Sequence, residues 1–184
     1  MKKNLLFSVF LLMATSMAWE SQAGGSHGSQ INVYETREDF LNQAFDGHPP
    51  KPAFIWLRGE LKQQVKNILG HPYAGLRIRY WRQDQRSAWI LDEIGKEQPI
   101  TTGILIDNGA ISKVKVLVFR ESRGGEVRHD FFTRQFVQTR LTENGQLSQR
   151  IDGITGATLS VRALKKLARL ALYLDQVARS KDAA

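Results

Sequence analysis

The residues whose types and spacing bear on chemistry are concentrated in Asp152-Gly-Ile-Thr-Gly-Ala-Thr158, a run of small residues directly ahead of the last apolar-periodic segment. Such a loop sets two hydroxyls, Thr155 and Thr158, at the start of a helix, where unpaired backbone N–H groups and the helix dipole favour an anion. A phosphate suits that position. Gly156 and Ala157 leave room beside Thr158 for a bulky group or a modifying enzyme, and Arg162 and Lys165, one to two turns on, are available as counter-charges. From the residues alone a second meaning stays open: Asp, Thr and Ser ahead of a helix are also ordinary caps, which satisfy the first amides without any ligand.

Other constellations carry less. His27, His48, His71 and His129 are scattered without ligand spacing, and two of them precede Pro, so no metal site is expected. The absence of Cys excludes disulfides, thiolate ligation, cysteinyl catalysis and a lipid-anchored Cys. Arg77, Arg79, Arg82 and Arg86 with interleaved aromatics have the composition of a nucleic-acid patch, but their alternation fits a solvated strand face, and no nucleic-acid partner is expected.

The elements that must position these residues follow from periodicity. Thr36-Arg-Glu-Asp39 has capping-box spacing ahead of Phe40, Leu41, Ala44 and Phe45 and predicts a short helix that Gly47-His-Pro-Pro50 ends. A second helix fits Glu60 to Leu69, with Gly70 as its C-terminal stop. From Leu76 the period becomes two, as in a half-buried strand, while Ser87 to Ile94 reads equally as strand or short helix. Asn108-Gly109 between two apolar runs predicts a tight hairpin, with Val114, Val116 and Val118 on one face of its second strand. Arg128 to Val137 reads as helical after the Gly124-Gly125 break. A final helix spans about Ser160 to Arg179, with Val161, Leu164, Leu167, Ala168, Ala171 and Leu174 on its apolar stripe and Arg162, Lys165, Lys166 and Arg169 opposite. The chain therefore predicts one α+β domain, an antiparallel or mixed sheet packed against helices that include a C-terminal amphipathic one.

Asp152-x-x-Thr155-Gly156-Ala157-Thr158 resembles, position by position, the Asp-x-x-(Ser/Thr)-Gly-Ala-Thr motif of the FMN-binding domain family, which includes flavinylated subunits of the sodium-pumping NADH:quinone oxidoreductase and of Rnf complexes. The hairpin from Gly103, then Glu121-Ser122 with Gly124-Gly125, then Phe131 to Phe136 are also similar to that family, so that the resemblance covers about 103–174. It implies covalent FMN, esterified through its phosphate to Thr158, with Asp152, Thr155, Gly156 and Ala157 as the recognition context and Glu121 and Ser122 near the flavin. It further implies maturation by a flavin transferase that takes FMN from FAD with a divalent cation such as Mg²⁺, and redox partners such as a cytochrome or a membrane flavoprotein. Ser122 stands where Thr is common, and Arg123-Gly-Gly departs from the usual pattern. Trp56, Trp81 and Trp89 offer flat surfaces for covering the isoalloxazine ring, core packing being their ordinary role. His129-Asp130 has the same dual meaning, between orienting a flavin edge and forming an exposed first helical turn.

The N-terminus sets the compartment. Lys2 and Lys3, the apolar run from Leu5 to Ala18 and the small residues after it have the form of a secretory signal, with cleavage after Ala23 or Ala18. Glu20, Ser21 and Gln22 interrupt the run before the roughly 20 apolar residues a spanning helix needs. The expectation is a signal peptide over 1–23, a Gly/Ser/His-rich spacer over 24–34 and an FMN-binding domain over 35–180, exported to the periplasm; an inner-membrane anchor facing the periplasm is the alternative. Net charge is +8, and +7 once Lys2, Lys3 and Glu20 leave with the signal. That surplus suits an acidic partner or an anionic ligand, and the basic face of the last helix suits an acidic cytochrome or a lipid headgroup.

Overall fold

The computed structural model describes residues 31–182. The expected signal peptide, most of the spacer and His27 lie outside them. Six strands form one antiparallel sheet: β1 (Asn32–Val33), β2 (Ala53–Trp56), β3 (Arg77–Gln83), β4 (Arg86–Ile94), β5 (Pro99–Asp107) and β6 (Ala110–Phe119), in the spatial order β1-β6-β5-β4-β3-β2. Four helices accompany it: α1 (Arg37–Ala44), α2 (Gly59–Leu69), α3 (Asp130–Thr133) and α4 (Thr158–Asp182). The domain is α+β, and strand-to-strand pairing is antiparallel throughout.

The sheet has two unequal faces. Alternation along β4 sends Trp89 and Leu91 to one side, where they join Ile104, Ile106, Val114 and Val116 under the apolar stripe of α4. Ala88 and Leu105 point the other way into a smaller cluster with Phe40, Leu41, Ala44 and Phe45 of α1. The six apolar residues expected on the last helix are all buried. Truncating a fully buried one such as Leu164 to Ala costs about 2–5 kcal/mol.

Local chemistry explains most boundaries. Thr36 caps α1 by accepting from the Asp39 amide at 3.0 Å. Asn108 and Gly109 both take positive φ, 50° and 75°, as the two-residue turn between β5 and β6 requires. The ambiguous segment 87–94 is a strand, since it pairs along its length with β5. Two expectations need correction. A register shift between Thr101 and Thr102 breaks the alternation of β6, so Val114 and Val116 enter the main core while Val118 packs with Leu117 against the α1 cluster. The segment 125–136 is no single helix: a 3-10 turn (Gly125–Arg128), the one-turn α3 and a second 3-10 turn (Arg134–Phe136) follow one another as Val127, Phe132 and Phe136 each reach the core.

Two polar clamps fix α4 against the sheet. Buried Glu93 at the end of β4 accepts from Lys166 Nζ at 2.8 Å and faces His71 Nε2 at 2.9 Å. His71 is thereby held above its ordinary pKa, first by the Pro72 carbonyl at its Nδ1 and then by Glu93, with burial opposing. Nine residues beyond Lys166 the helix is tied again: Ser87 Oγ donates to buried Asp175 at 2.7 Å, Trp89 Nε1 donates to Ser87 at 2.8 Å, and Arg179 pairs with Asp175 at 2.8 Å. Burial pushes the Asp175 carboxyl up, with the Ser87 and Arg179 contacts pulling against it. With its middle and C-terminal turns fixed, the N-terminal end of α4 has a defined place.

Candidate functional site

The start of α4 is the focus. Val161 N donates to the Ala157 carbonyl at 2.9 Å, the first bond of the helix, which puts Ala157 at the capping position and Thr158 at the first helical residue. Ala157 has no side-chain acceptor, and no acid occupies the first turn. The helix therefore begins with its amides uncapped from within, and an alanine there gives up about 1 kcal/mol relative to Ser, Thr, Asp or Asn. Thr158 does not cap the helix; its side chain is exposed beside the open end.

The loop before it is built to present that end. Asp152 N donates to Gln135 Oε1 at 2.8 Å, while its exposed carboxylate meets the exposed Arg150 at 3.2 Å. Ala157 N donates to the Ile154 carbonyl, closing a turn in which Gly156 takes φ +84°, a conformation that disfavours any side chain. The space around Gly156 is open, as expected. Ala157 is not part of that opening: it is buried at 2% exposure and packs in the main core, so its smallness serves packing.

A pocket of about 540 Å³ opens at this point, within the range typical of small-molecule sites. It brings together Glu121, Ser122, Gly156, Ala157 and Thr158, residues up to 37 positions apart in the chain. Asp152 and Thr155 do not line it. Lys96, Arg123, Leu159 and Ser160 do, although no sequence pattern marks them. Gly124 supports the arrangement with φ +85°: a Cβ there would sit 2.5 Å from Ser160 Oγ and 3.5 Å from Ala157 Cα, so the 121–125 loop lies directly against the first turn of α4.

Glu121 holds the opposite wall. One of its carboxylate oxygens accepts from the amides of Lys96, Glu97 and Gln98, the last two at 2.7 and 2.9 Å. Burial raises its pKa, but these three bonds and the nearby Lys96 outweigh it and hold the carboxyl below its ordinary value. Glu121 thus shapes the pocket by pinning the β4–β5 turn. Lys96, Arg123 and the open helix end make the mouth electropositive, which suits a phosphate.

The pocket thus combines an open helix end, basic side chains and a polar wall, an arrangement suited to an anionic ligand. Residues 95–173 match the family described as FMN-binding domain. This segment belongs to that family. The match contains Lys96, Glu121, Ser122, the whole 152–158 loop and most of α4, and FMN is accordingly the cofactor class of this flavoprotein. A search of curated proteins finds no match to the chain.

Several remaining candidates sit elsewhere. Trp89 is fully buried and stacked on Tyr80 at 4.8 Å, Trp81 packs toward the α1 cluster, and Trp56 lies exposed on edge strand β2, so none of these three lines the Thr158 pocket. His129 and Asp130 start α3 on the exposed surface and lie outside the pocket. Arg77 lies over Phe54 at 4.1 Å, and Arg86 pairs with Asp107 at 2.7 Å. Among the described residues no group of three or more His, Asp or Glu side chains converges on a cation site, and no helix is long and apolar enough to cross a membrane.

Proposed function

We propose that this chain is an exported carrier of one covalent FMN, joined through its phosphate to Thr158 Oγ1, that relays electrons between periplasmic or membrane redox partners. The observation that carries the reading is the exposed Thr158 hydroxyl at an α-helical N-terminus with no internal cap. A phosphoryl group on Thr158 supplies the anion that the first-turn amides lack, with Lys96 and Arg123 on the same pocket adding charge. Ser122 and the Glu121-pinned turn form the wall available to the ring.

Attachment needs no acid, base or nucleophile triad in this chain. A flavin transferase with Mg²⁺ cleaves the pyrophosphate of FAD, the Thr158 oxygen forms the new bond to the FMN phosphorus, its proton leaves, and AMP departs. Exposed Asp152 and Thr155, which do not line the pocket, are the surface that such an enzyme reads. The bound flavin supplies the redox chemistry; the protein supplies position and electrostatics. Covalent attachment fits export, because free FMN lost by dilution outside the cytoplasm is not resupplied, and the signal-like residues 1–23 support that compartment.

Coexpression with a flavin transferase tests the reading. Flavin fluorescence should stay with the protein band after denaturing electrophoresis, and the mature chain should begin near residue 19 or 24. Flavin released on denaturation contradicts the covalent link; a retained residue 1 supports the membrane-anchored alternative.

A further inference from the structure

A second groove, of about 630 Å³, also starts at Thr158 but runs in another direction, between the end of α2, the 146–151 segment and one face of α4. Its walls carry Arg150, Arg162, Lys165, Lys166 and Arg169, and no carboxylate among the described residues lines it. Three of these cations are engaged: Lys166 by Glu93, Arg169 through its Nε to the Gly145 carbonyl at 3.0 Å, and Arg150 by Asp152 on the exposed rim. Arg162, exposed, and Lys165, half-buried, have no acidic partner among the described residues. The open N-terminus of α4 adds its partial positive charge at the same end. Ile68, Leu147 and Val161 supply apolar floor between the charges.

We infer that this groove is the docking surface for the acidic face of an electron-transfer protein, which approaches the flavin from its Thr158 end. The inference rests on the flavin being carried at Thr158. Thr158 and Arg169 are eleven helical residues apart, about 16 Å along the axis, so the cations are spread over several carboxylates' worth of surface and exceed the span of a single phosphate. Complementary charge of this kind steers fast, short-lived encounters without a large buried area, which is what electron relay requires. A flavin bound at Thr158 would supply two electrons per full oxidation, taken one at a time by a ferric haem of the partner in two successive encounters, and its hydroquinone anion would release one proton, from N5, to water.

Binding is tested apart from the flavin. The full chain carrying Thr158→Ala, isotopically labelled, is titrated with an acidic c-type cytochrome and with a basic one. The inference expects amide shifts confined to about 150 and 158–169 with the acidic protein only, and an affinity that falls at least tenfold between about 10 mM and about 500 mM salt. Arg162→Glu with Lys165→Glu should abolish this binding, whereas Arg77→Glu with Arg79→Glu, on the other sheet face, should leave it. In flavinylated wild-type protein the rate of cytochrome reduction should show the same salt dependence and the same response to the two double variants. Equal binding of both cytochromes, loss in both double variants, or shifts on another face would overturn the inference. Shifts at 158–169 caused by inorganic phosphate or by anionic phosphatidylglycerol vesicles, with none from the acidic cytochrome, would overturn it in favour of a small anion or a membrane. Absence of covalent flavin in wild type defeats the Thr158 reading and leaves the binding result standing by itself.

Discussion

Helix α1 begins at Thr36, whose Oγ1 accepts from the Asp39 amide, with Glu38 and Asp39 in the first turn; α4 begins at Ala157, with no side-chain acceptor and no acid in its first turn. Both helices start after a loop on the same sheet, and only the first is completed by its own side chains. The eight-residue helix is closed electrostatically. The twenty-five-residue helix, anchored by Glu93 and Asp175 along its length, tolerates an open end and leaves it next to an exposed hydroxyl and a pocket. The contrast locates the uncapped amides of α4 beside the Thr158 hydroxyl, where the proposed phosphoryl group would supply the acceptor that Thr36 supplies to α1.

Changes at the two helix starts should separate them. The largest effect belongs to Gly124→Val, which forces a branched side chain into positive φ against Ser160 and should cost about 2–3 kcal/mol in denaturant melts while lowering flavin incorporation. Next is Glu121→Ala, which orphans three amides of the 96–98 turn and should cost about 2 kcal/mol at neutral pH. Because the folded carboxyl is held below its ordinary value, that contribution is present above the unfolded pKa and is lost as pH falls through the folded one. The difference between wild type and Glu121→Ala should therefore shrink below about pH 4.

At α1, Thr36→Ala should cost about 1 kcal/mol whether or not flavin is attached, and should leave flavin yield unchanged. Ala157→Ser installs the missing cap with little change in volume, and should stabilise the unflavinylated protein by about 0.5–1 kcal/mol with no gain in the flavinylated form. An equal gain in both forms would mean that no phosphate sits at the α4 amides. The smallest effect concerns His71, whose raised pKa stabilises the fold below its unfolded pKa and is lost as pH rises through the folded value. His71→Gln should lower Tm at about pH 5.5 and not at about pH 8, by well under 1 kcal/mol given its exposure.

Features set by local chemistry were legible in the residues: the Thr36 cap, the Asn108-Gly109 turn, the stripe of α4 and the 152–158 loop all depend on neighbours a few positions apart. Features set by distant contacts were not. The β6 bulge reassigns Leu117 and Val118 to the α1 side, and the 125–136 turns bend to bury Val127, Phe132 and Phe136. Ala157 reads as a spacer beside Thr158 until packing shows that it faces the core. Lys96 reaches the site only because Glu121 folds the β4–β5 turn back onto it, a contact across 25 positions that no periodicity encodes. Gly124 reads as a break, and its role is the close approach to Ser160.

The central claim is that Thr158 carries the flavin, and intact-mass measurement of the chain coexpressed with a flavin transferase tests it most directly. Wild type should gain the mass of one FMN less one water, Thr158→Ala should gain nothing, and Thr155→Ala should retain a modified fraction at Thr158. An unmodified wild type in the presence of active transferase, or the same added mass in Thr158→Ala, would contradict it.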